Sequence, residues 1–252
     1  MSKIKDFNPN ELTLPFTMII LGRSHSGKSQ QLHTIMYNIY KNFKKEISEV
    51  YLFSQTGLIN QEEFFYIQTD NIFENINVGF IKMVLENQKL KKLNHEEPKQ
   101  IIFLFDDIIG DTNVKSPVII NLFTLGRHYN ITTILLSQTY VQTGGLSAVI
   151  RRNSNWILSF YIQNEDRRKQ FIKEYASIKN SNDGENVFRE ITSVKYQSMV
   201  VDTRNTTARD YEGYIYKFKI NIKKKIPKFL FGSKYKIKKA KVIGSVKLLN
   251  LF

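Results

Sequence analysis

Gly22-Arg23-Ser24-His25-Ser26-Gly27-Lys28-Ser29 fits the pattern G-x-x-x-x-G-K-[ST]. Its residue types define a chemistry. The two glycines let the backbone curl closely and aim N–H groups at a phosphate. The Lys28 ammonium reaches β- and γ-phosphates, and the Ser29 hydroxyl offers Mg²⁺ an oxygen. A helix opening at the end of the run adds the positive end of its dipole. A Gly/Ser turn between strand and helix has the same composition. The run, however, directly follows an apolar segment and precedes an amphipathic one.

Ile101–Phe105 is a second apolar segment, and it ends in Asp106 and Asp107. A buried strand carries such acids to the sheet edge where phosphates lie. There Asp106 would bind Mg²⁺ and Asp107 would orient and deprotonate the attacking water. A second acid suits a hydrolase better than a phosphotransferase, although Asp107 could equally cap Ile108-Ile109. Ile131–Leu136 ends in Ser137-Gln138, delivering a polar side chain to the same edge. Gln138 could sense a γ-phosphate or place water; a loop hydrogen bond is the plainer alternative. Arg127, Arg151 and Arg152 are candidates for a finger inserted into a neighbouring subunit, and Arg23 for a cation acting in cis. A solvated arginine at a helix C-terminus explains each of the first three equally well.

These residues need elements to hold them. Phe16–Leu21, Val50–Phe53, Ile101–Phe105 and Ile131–Leu136 are short and almost continuously apolar, as strands buried on both faces of a parallel sheet are. Leu32, Ile35, Met36, Ile39, Tyr40 and Phe43 form one face of a helix starting near Gly27. Further helices are expected over Ile72–Leu93, from a Ser116 cap and Pro117 to near Arg127, and over Glu165–Tyr175 behind an Asn164 cap. Ser154–Ile162, Gln197–Val201 and Tyr214–Ile222 read as later strands. In the last, Tyr214, Tyr216, Phe218, Ile220 and Ile222 point one way. Ile215, Lys217, Lys219, Asn221 and Lys223 form an opposite, solvated face. The expected fold is α/β, a parallel-rich sheet with helices on both faces and antiparallel later edge strands.

The 252 residues include 18 Phe and 13 Tyr, enough for a sizeable core. No cysteine is present, which excludes disulfides, thiolate zinc sites and thiol catalysis. No apolar run reaches the ~18 residues of a membrane span, and no apolar leader opens the chain. The net charge is +14, and the twelve lysines that follow Glu212, unmatched by any acid, account for nearly all of it. The chain therefore divides into a near-neutral body, 1–212, and a lysine-rich strand and tail, 213–252. Such a tail suits an anionic partner.

Taken in order, LGRSHSGKS, IIFLFDDI, GRHYNITTILLSQTY and IRRNSNWIL resemble the FtsK–HerA superfamily of P-loop ATPases. The nearest branch is the genome-packaging ATPases of poxviruses, other large DNA viruses and virophages. The likeness covers roughly residues 14–170, with GRHYNITTILLSQTY the most specific block. It implies a RecA-like core with an additional strand and ATP and Mg²⁺ as ligands. It further implies a ring of five or six identical subunits and ATP-driven movement of double-stranded DNA into a capsid vertex, in the host cytoplasm or with the virion. By the resemblance, Lys28 and Ser29 bind nucleotide, Asp106 and Asp107 serve Mg²⁺ and water, and Gln138 senses the γ-phosphate. The alternatives are a replication helicase or DNA-transfer ATPase, a small-molecule phosphotransferase, and a non-enzymatic basic DNA-binding protein. The lysine tail lies outside the shared motifs, and its charge argues for a sequence-independent grip on phosphates.

Overall fold

A computed structural model of the chain describes residues 4–108, 111–138, 146–176, 181–205, 208, 210–221 and 225–232. Nine strands form one sheet: β1 (Lys5–Asp6), β2 (Thr17–Leu21), β3 (Ile47–Ser54), β4 (Ile72–Phe73), β5 (Gln100–Asp106), β6 (Ile131–Ser137), β7 (Trp156–Ser159), β8 (Gln197–Asp202) and β9 (Ile215–Lys219). Their order is β1-β9-β8-β7-β2-β6-β5-β3-β4. Every adjacent pair is parallel except β7/β8 and β8/β9. β6 is thus inserted between the strand before the glycine-rich loop and the strand before the Asp pair.

β2 is buried at all five positions and β6 at all seven, as their unbroken apolar runs require. Alternation along the strands separates two cores. Met18, Ile20, Leu52, Ile102, Leu104, Ile134, Leu136 and Leu158 face α1 (Lys28–Phe43), whose Leu32, Ile35, Met36 and Ile39 bury against them. Ile19, Phe53, Phe103, Phe105, Leu135 and Ile157 face the other side. There α2 (Val78–Leu93), α3 (Pro117–Thr124), α4 (Ala148–Arg152), α5 (Glu165–Phe171) and α6 (Ser181–Thr192) contribute Ile81, Ile119, Leu122, Ile150, Phe171 and Phe188.

Several expectations shift at their edges. Ile72 and Phe73 pair with Leu52 and Phe53 as a strand, so the helix begins at Val78, where the Asn77 side chain accepts from Phe80 N–H. The Ser116 cap and Pro117 are present, but α3 stops at Thr124 and a tight turn, Gly126–Tyr129, carries Arg127. Asn164 caps α5, which widens into a π turn over Ile172–Ala176. The expected 154–162 strand is confined to β7, because Asn155 turns its side chain and backbone onto Thr17. β9 lies inside the sheet, so its other face is not wholly solvated: Ile215 is fully buried, and only towards Lys219 does that face reach water. Ile222 and Lys223 lie outside the described residues, as do Ile109 and the chain beyond Gly232.

The segment after β9 crosses the outer side of α1. Phe229 packs on Tyr37, Tyr40 and Tyr66, and the Phe231 N–H donates to Tyr66 O at 3.0 Å. Both phenylalanines are buried, so the structured body extends at least to residue 231. The start of α1 is also fixed from the far end of the chain. Buried Gln31 donates to Phe218 O (2.8 Å) and accepts from Ser198 Oγ (2.9 Å).

Candidate functional site

Strand parity collects the polar candidates at one edge. Ile102 and Leu104 face α1, and the same alternation puts Asp106 on that face one step beyond them; Ser54 follows Leu52 and Gln138 follows Leu136 likewise. Gly22 and Phe160 directly follow their strands in the same row, with Gly22 N–H donating to Ser137 O and Phe160 N–H to Leu21 O. The loop from Gly22 and the start of α1 therefore sit over the ends of β2, β5 and β6.

The loop is shaped for close approach. Gly27 caps α1 with φ 110° and ψ 12°, a left-handed conformation that side chains resist, and a Cβ there would meet Tyr196 Cδ1 at 3.1 Å. A Cβ on Gly22 would lie 2.5 Å from Ser26 Oγ and 2.8 Å from the Phe160 ring. Exposed His25 is also left-handed (φ 62°). The Lys28 ammonium folds back over its own loop, donating to Gly22 O at 2.6 Å and Arg23 O at 2.9 Å. Arg23 Nη1 donates to Gln163 Oε1, in the segment that follows β7.

The charges are coupled. Burial lowers the Lys28 pKa, opposed by the Asp106 and Asp107 charges. Burial, reinforced by Asp107, raises Asp106 to about 6, opposed by Lys28. Asp107 leaves the strand with φ 52° and stays exposed. Gln138 Nε2 donates to its Oδ1 at 3.2 Å, and Ser24 Oγ lies 3.5 Å from Gln138 Oε1.

Two features fit a phosphate-bearing ligand. Among the described residues Ser26 Oγ is buried without a hydrogen-bond partner within the loop, and the glycines leave a backbone cradle that side chains would fill. Ser29, in the first turn of α1, and Asp106, at the end of β5, offer a hydroxyl and a carboxylate, oxygen donors of the kind Mg²⁺ takes together with substrate phosphates.

The three arginines are elsewhere. Arg127 precedes β6, about 20 Å of strand away from Gln138. Its Nε is buried without a partner among the described residues. Arg151 and Arg152 end α4, next to Asn153 and Asn155, which bond Thr17 at the start of β2. Arg151 is tied to Glu174 (3.2 Å) and Leu146 O (2.6 Å), whereas Arg152 is exposed. None reaches the loop of its own chain. Ser54, Phe160, Gln163 and Tyr196 border the site without any local sequence signal, because tertiary packing alone brings them there.

A family model described as Poxvirus A32 protein matches residues 4–242. The DNA packaging protein OPG160 of Variola virus is 30% identical over 138 residues, 52% of this chain and 48% of the relative. The chain spans about half the length of the curated relatives it matches. Among solved structures, the genome packaging NTPase B204 from Sulfolobus turreted icosahedral virus 2, in complex with AMPPCP, has a TM-score of 0.54 at 16% identity. That match covers 84% of this chain and 98% of the other. The pCW3 conjugation coupling protein TcpA, with ATPgS, has a TM-score of 0.56 at 14% identity over 84% of this chain and 61% of the other. At these identities the solved structures show a shared fold, a mixed, mostly parallel sheet with antiparallel strands towards one edge.

Proposed function

The chain belongs to the poxvirus A32 protein family, and from that premise we propose that it is an ATP-hydrolysing translocase that drives double-stranded DNA into a preformed capsid. One observation carries the reading: Lys28, Asp106, Asp107 and Gln138 meet at a single sheet edge beside a phosphate-shaped loop.

In this reading the loop N–H groups and Lys28 hold the β- and γ-phosphates of ATP. Ser29 and Asp106 are the residues that would hold Mg²⁺, which when bound supplies Lewis-acid stabilisation of charge on the phosphate oxygens. Asp107 accepts a proton from water as the water oxygen attacks the γ-phosphorus and ADP departs. Gln138, bonded to Asp107, orients that water. None of the three arginines reaches the loop of its own chain, so a finger among Arg127, Arg151 and Arg152 would have to enter a neighbour's site, as a ring of identical subunits allows. Pentamer and hexamer both satisfy this. The lysines beyond β9 supply a sequence-independent grip on DNA. The place of work is the viral factory in the host cytoplasm; among the described residues no helix is long and apolar enough to cross a membrane.

ATP turnover by the purified protein, with and without double-stranded and single-stranded DNA, tests the reading. Hydrolysis stimulated by duplex DNA and absent in Lys28→Ala supports it; no ATP turnover in any condition overturns it. The coupling-protein fold match supports a second reading, a DNA-transfer ATPase. Stronger stimulation by single strands would favour that one.

A further inference from the structure

Tyr66 is the largest fully buried side chain among the described residues, and its hydroxyl has no hydrogen-bond partner there. A buried unpaired hydroxyl is destabilising, and phenylalanine would fill the same space without one. The flanking Phe64 and Phe65 do pack that way. The oxygen therefore needs an explanation outside packing.

The ring is rigidly held. It stacks on Phe229 (5.1 Å between centroids, 8° between planes), meets the edge of His33 at 5.5 Å, and its backbone carbonyl accepts from Phe231. It lies in the α1-side core with Leu52 and Leu104, whose strands continue on that face to Ser54 and Asp106, a directly paired couple in the register of β3 and β5. Burial first, then the Asp106 and Glu63 charges, raise the Tyr66 phenol. The buried, unpartnered hydroxyl thus belongs to the core that underlies the Ser54–Asp106 pair.

We propose that Tyr66 is a positioning residue for Asp106: its hydroxyl donates to the carboxylate, directly or through one water, when Asp106 turns to hold Mg²⁺. The donated hydrogen fixes one carboxylate oxygen and presents the other to the metal, as outer-shell partners of metal ligands do. The inference rests on the ATP-hydrolysis reading above.

The test is Tyr66→Phe, with Tyr37→Phe, whose ring also packs on Phe229 (5.6 Å), as control. Three quantities are read: the melting temperature without nucleotide, the affinity for a fluorescent ATP analogue in EDTA, and the Mg²⁺ midpoint of analogue binding and of hydrolysis. Tyr66→Phe should melt at or above the wild-type temperature, bind the metal-free analogue within twofold, and raise both Mg²⁺ midpoints about tenfold. Tyr37→Phe should move neither midpoint. Added to Asp106→Asn, Tyr66→Phe should have no further effect on Mg²⁺ dependence. A midpoint within twofold of wild type, or a lowered melting temperature, overturns the proposal. Wild-type protein that binds Mg²⁺ and analogue but hydrolyses nothing overturns the hydrolase reading alone, and the binding midpoint still decides the role of Tyr66. Wild-type protein that binds no Mg²⁺-nucleotide overturns both.

Discussion

Gln138 and Asp107, 31 residues apart in sequence, are joined by a 3.2 Å hydrogen bond from the amide to the carboxylate. The bond ties the end of β6 to the end of β5, and Ser24 of the glycine-rich loop lies 3.5 Å from the same amide. Asp107→Asn should retain nucleotide binding and lose at least 100-fold in turnover, because metal and phosphate ligands remain while the base is gone. Gln138→Ala should lose about tenfold and leave nucleotide affinity within twofold. Single-turnover hydrolysis beside equilibrium binding checks both. Unchanged turnover in Asp107→Asn would remove it as the base.

Gly27→Ala should destabilise the protein by about 1–2 kcal/mol, from the left-handed backbone, with the approach of Tyr196 adding to it. For a domain of this size, melting should fall by about 2–4 °C per kcal/mol. ATP affinity should drop further than stability does, since the same backbone forms the cradle. Calorimetry with and without nucleotide separates the two effects.

Asp106 gives the nucleotide-free protein a pH signature. Its folded pKa of about 6 stands above the usual 3.8, so between these values the folded state holds a proton that the unfolded chain has released. The contribution to stability is therefore largest below the unfolded value and is lost as pH rises through about 6, by up to ~3 kcal/mol. His33 acts oppositely: burial depresses it to about 4, so stability falls as pH drops from 6.5 towards 4. In wild type the two offset each other. Asp106→Asn should unmask the histidine and make the protein clearly more acid-labile between pH 6 and 4. Urea melts at pH 7.5 and 5 would show it; parallel pH profiles for both proteins would contradict the assignment.

Truncation has a structural boundary. Removing residues 233–252 deletes Lys234, Lys236, Lys238, Lys239, Lys241 and Lys247 and spares the buried pair Phe229 and Phe231. ATP hydrolysis without DNA should survive. Binding to duplex DNA should weaken uniformly across sequences, with the log–log salt slope flattened by about 0.9 for each phosphate no longer neutralised. An unchanged slope would transfer the grip to other surfaces. Phe229→Ala should instead cost about 3–5 kcal/mol, since it opens a hole against Tyr37, Tyr40 and Tyr66.

Mixing experiments address the arginines. If Arg127 or Arg152 is the finger, subunits carrying its alanine should bind ATP, hydrolyse none alone, and recover activity in rings mixed with Lys28→Ala. Arg151→Ala is a poorer probe because it also breaks the ion pair with Glu174. No recovery in rings shown to be mixed would count against a finger in trans.

The phosphate loop and the strands carrying Asp106 and Gln138 are legible in the sequence because each is a contiguous run whose own pattern states its conformation. β4 is not, since two residues cannot show a period, and pairing with Leu52 and Phe53 decides them. α6 opens on Ser181-Asn182-Asp183-Gly184, residues of low propensity for a helix interior; Val187, Phe188 and Ile191 hold the helix by burial. In the same way Phe229 and Phe231 resemble tail residues among lysines, and only a surface presented by Tyr40 and Tyr66 makes them core. Tyr66 itself is separated from Asp106 by 40 residues, a distance over which no local pattern reaches.

The bonds from Gln31 to Phe218 and Ser198 have a consequence for biosynthesis. The glycine-rich loop leaves the ribosome well before β8 and β9, yet the helix it opens is anchored by those strands, 167 and 187 residues further on at Ser198 and Phe218, and is covered by Phe229 after that. A nascent chain carries the loop's sequence long before it can carry the loop's shape. The loop's shape thus awaits synthesis through β9 and Phe229, and a ribosome-stalled fragment ending before β8 would contain every motif of the site and still lack its scaffold.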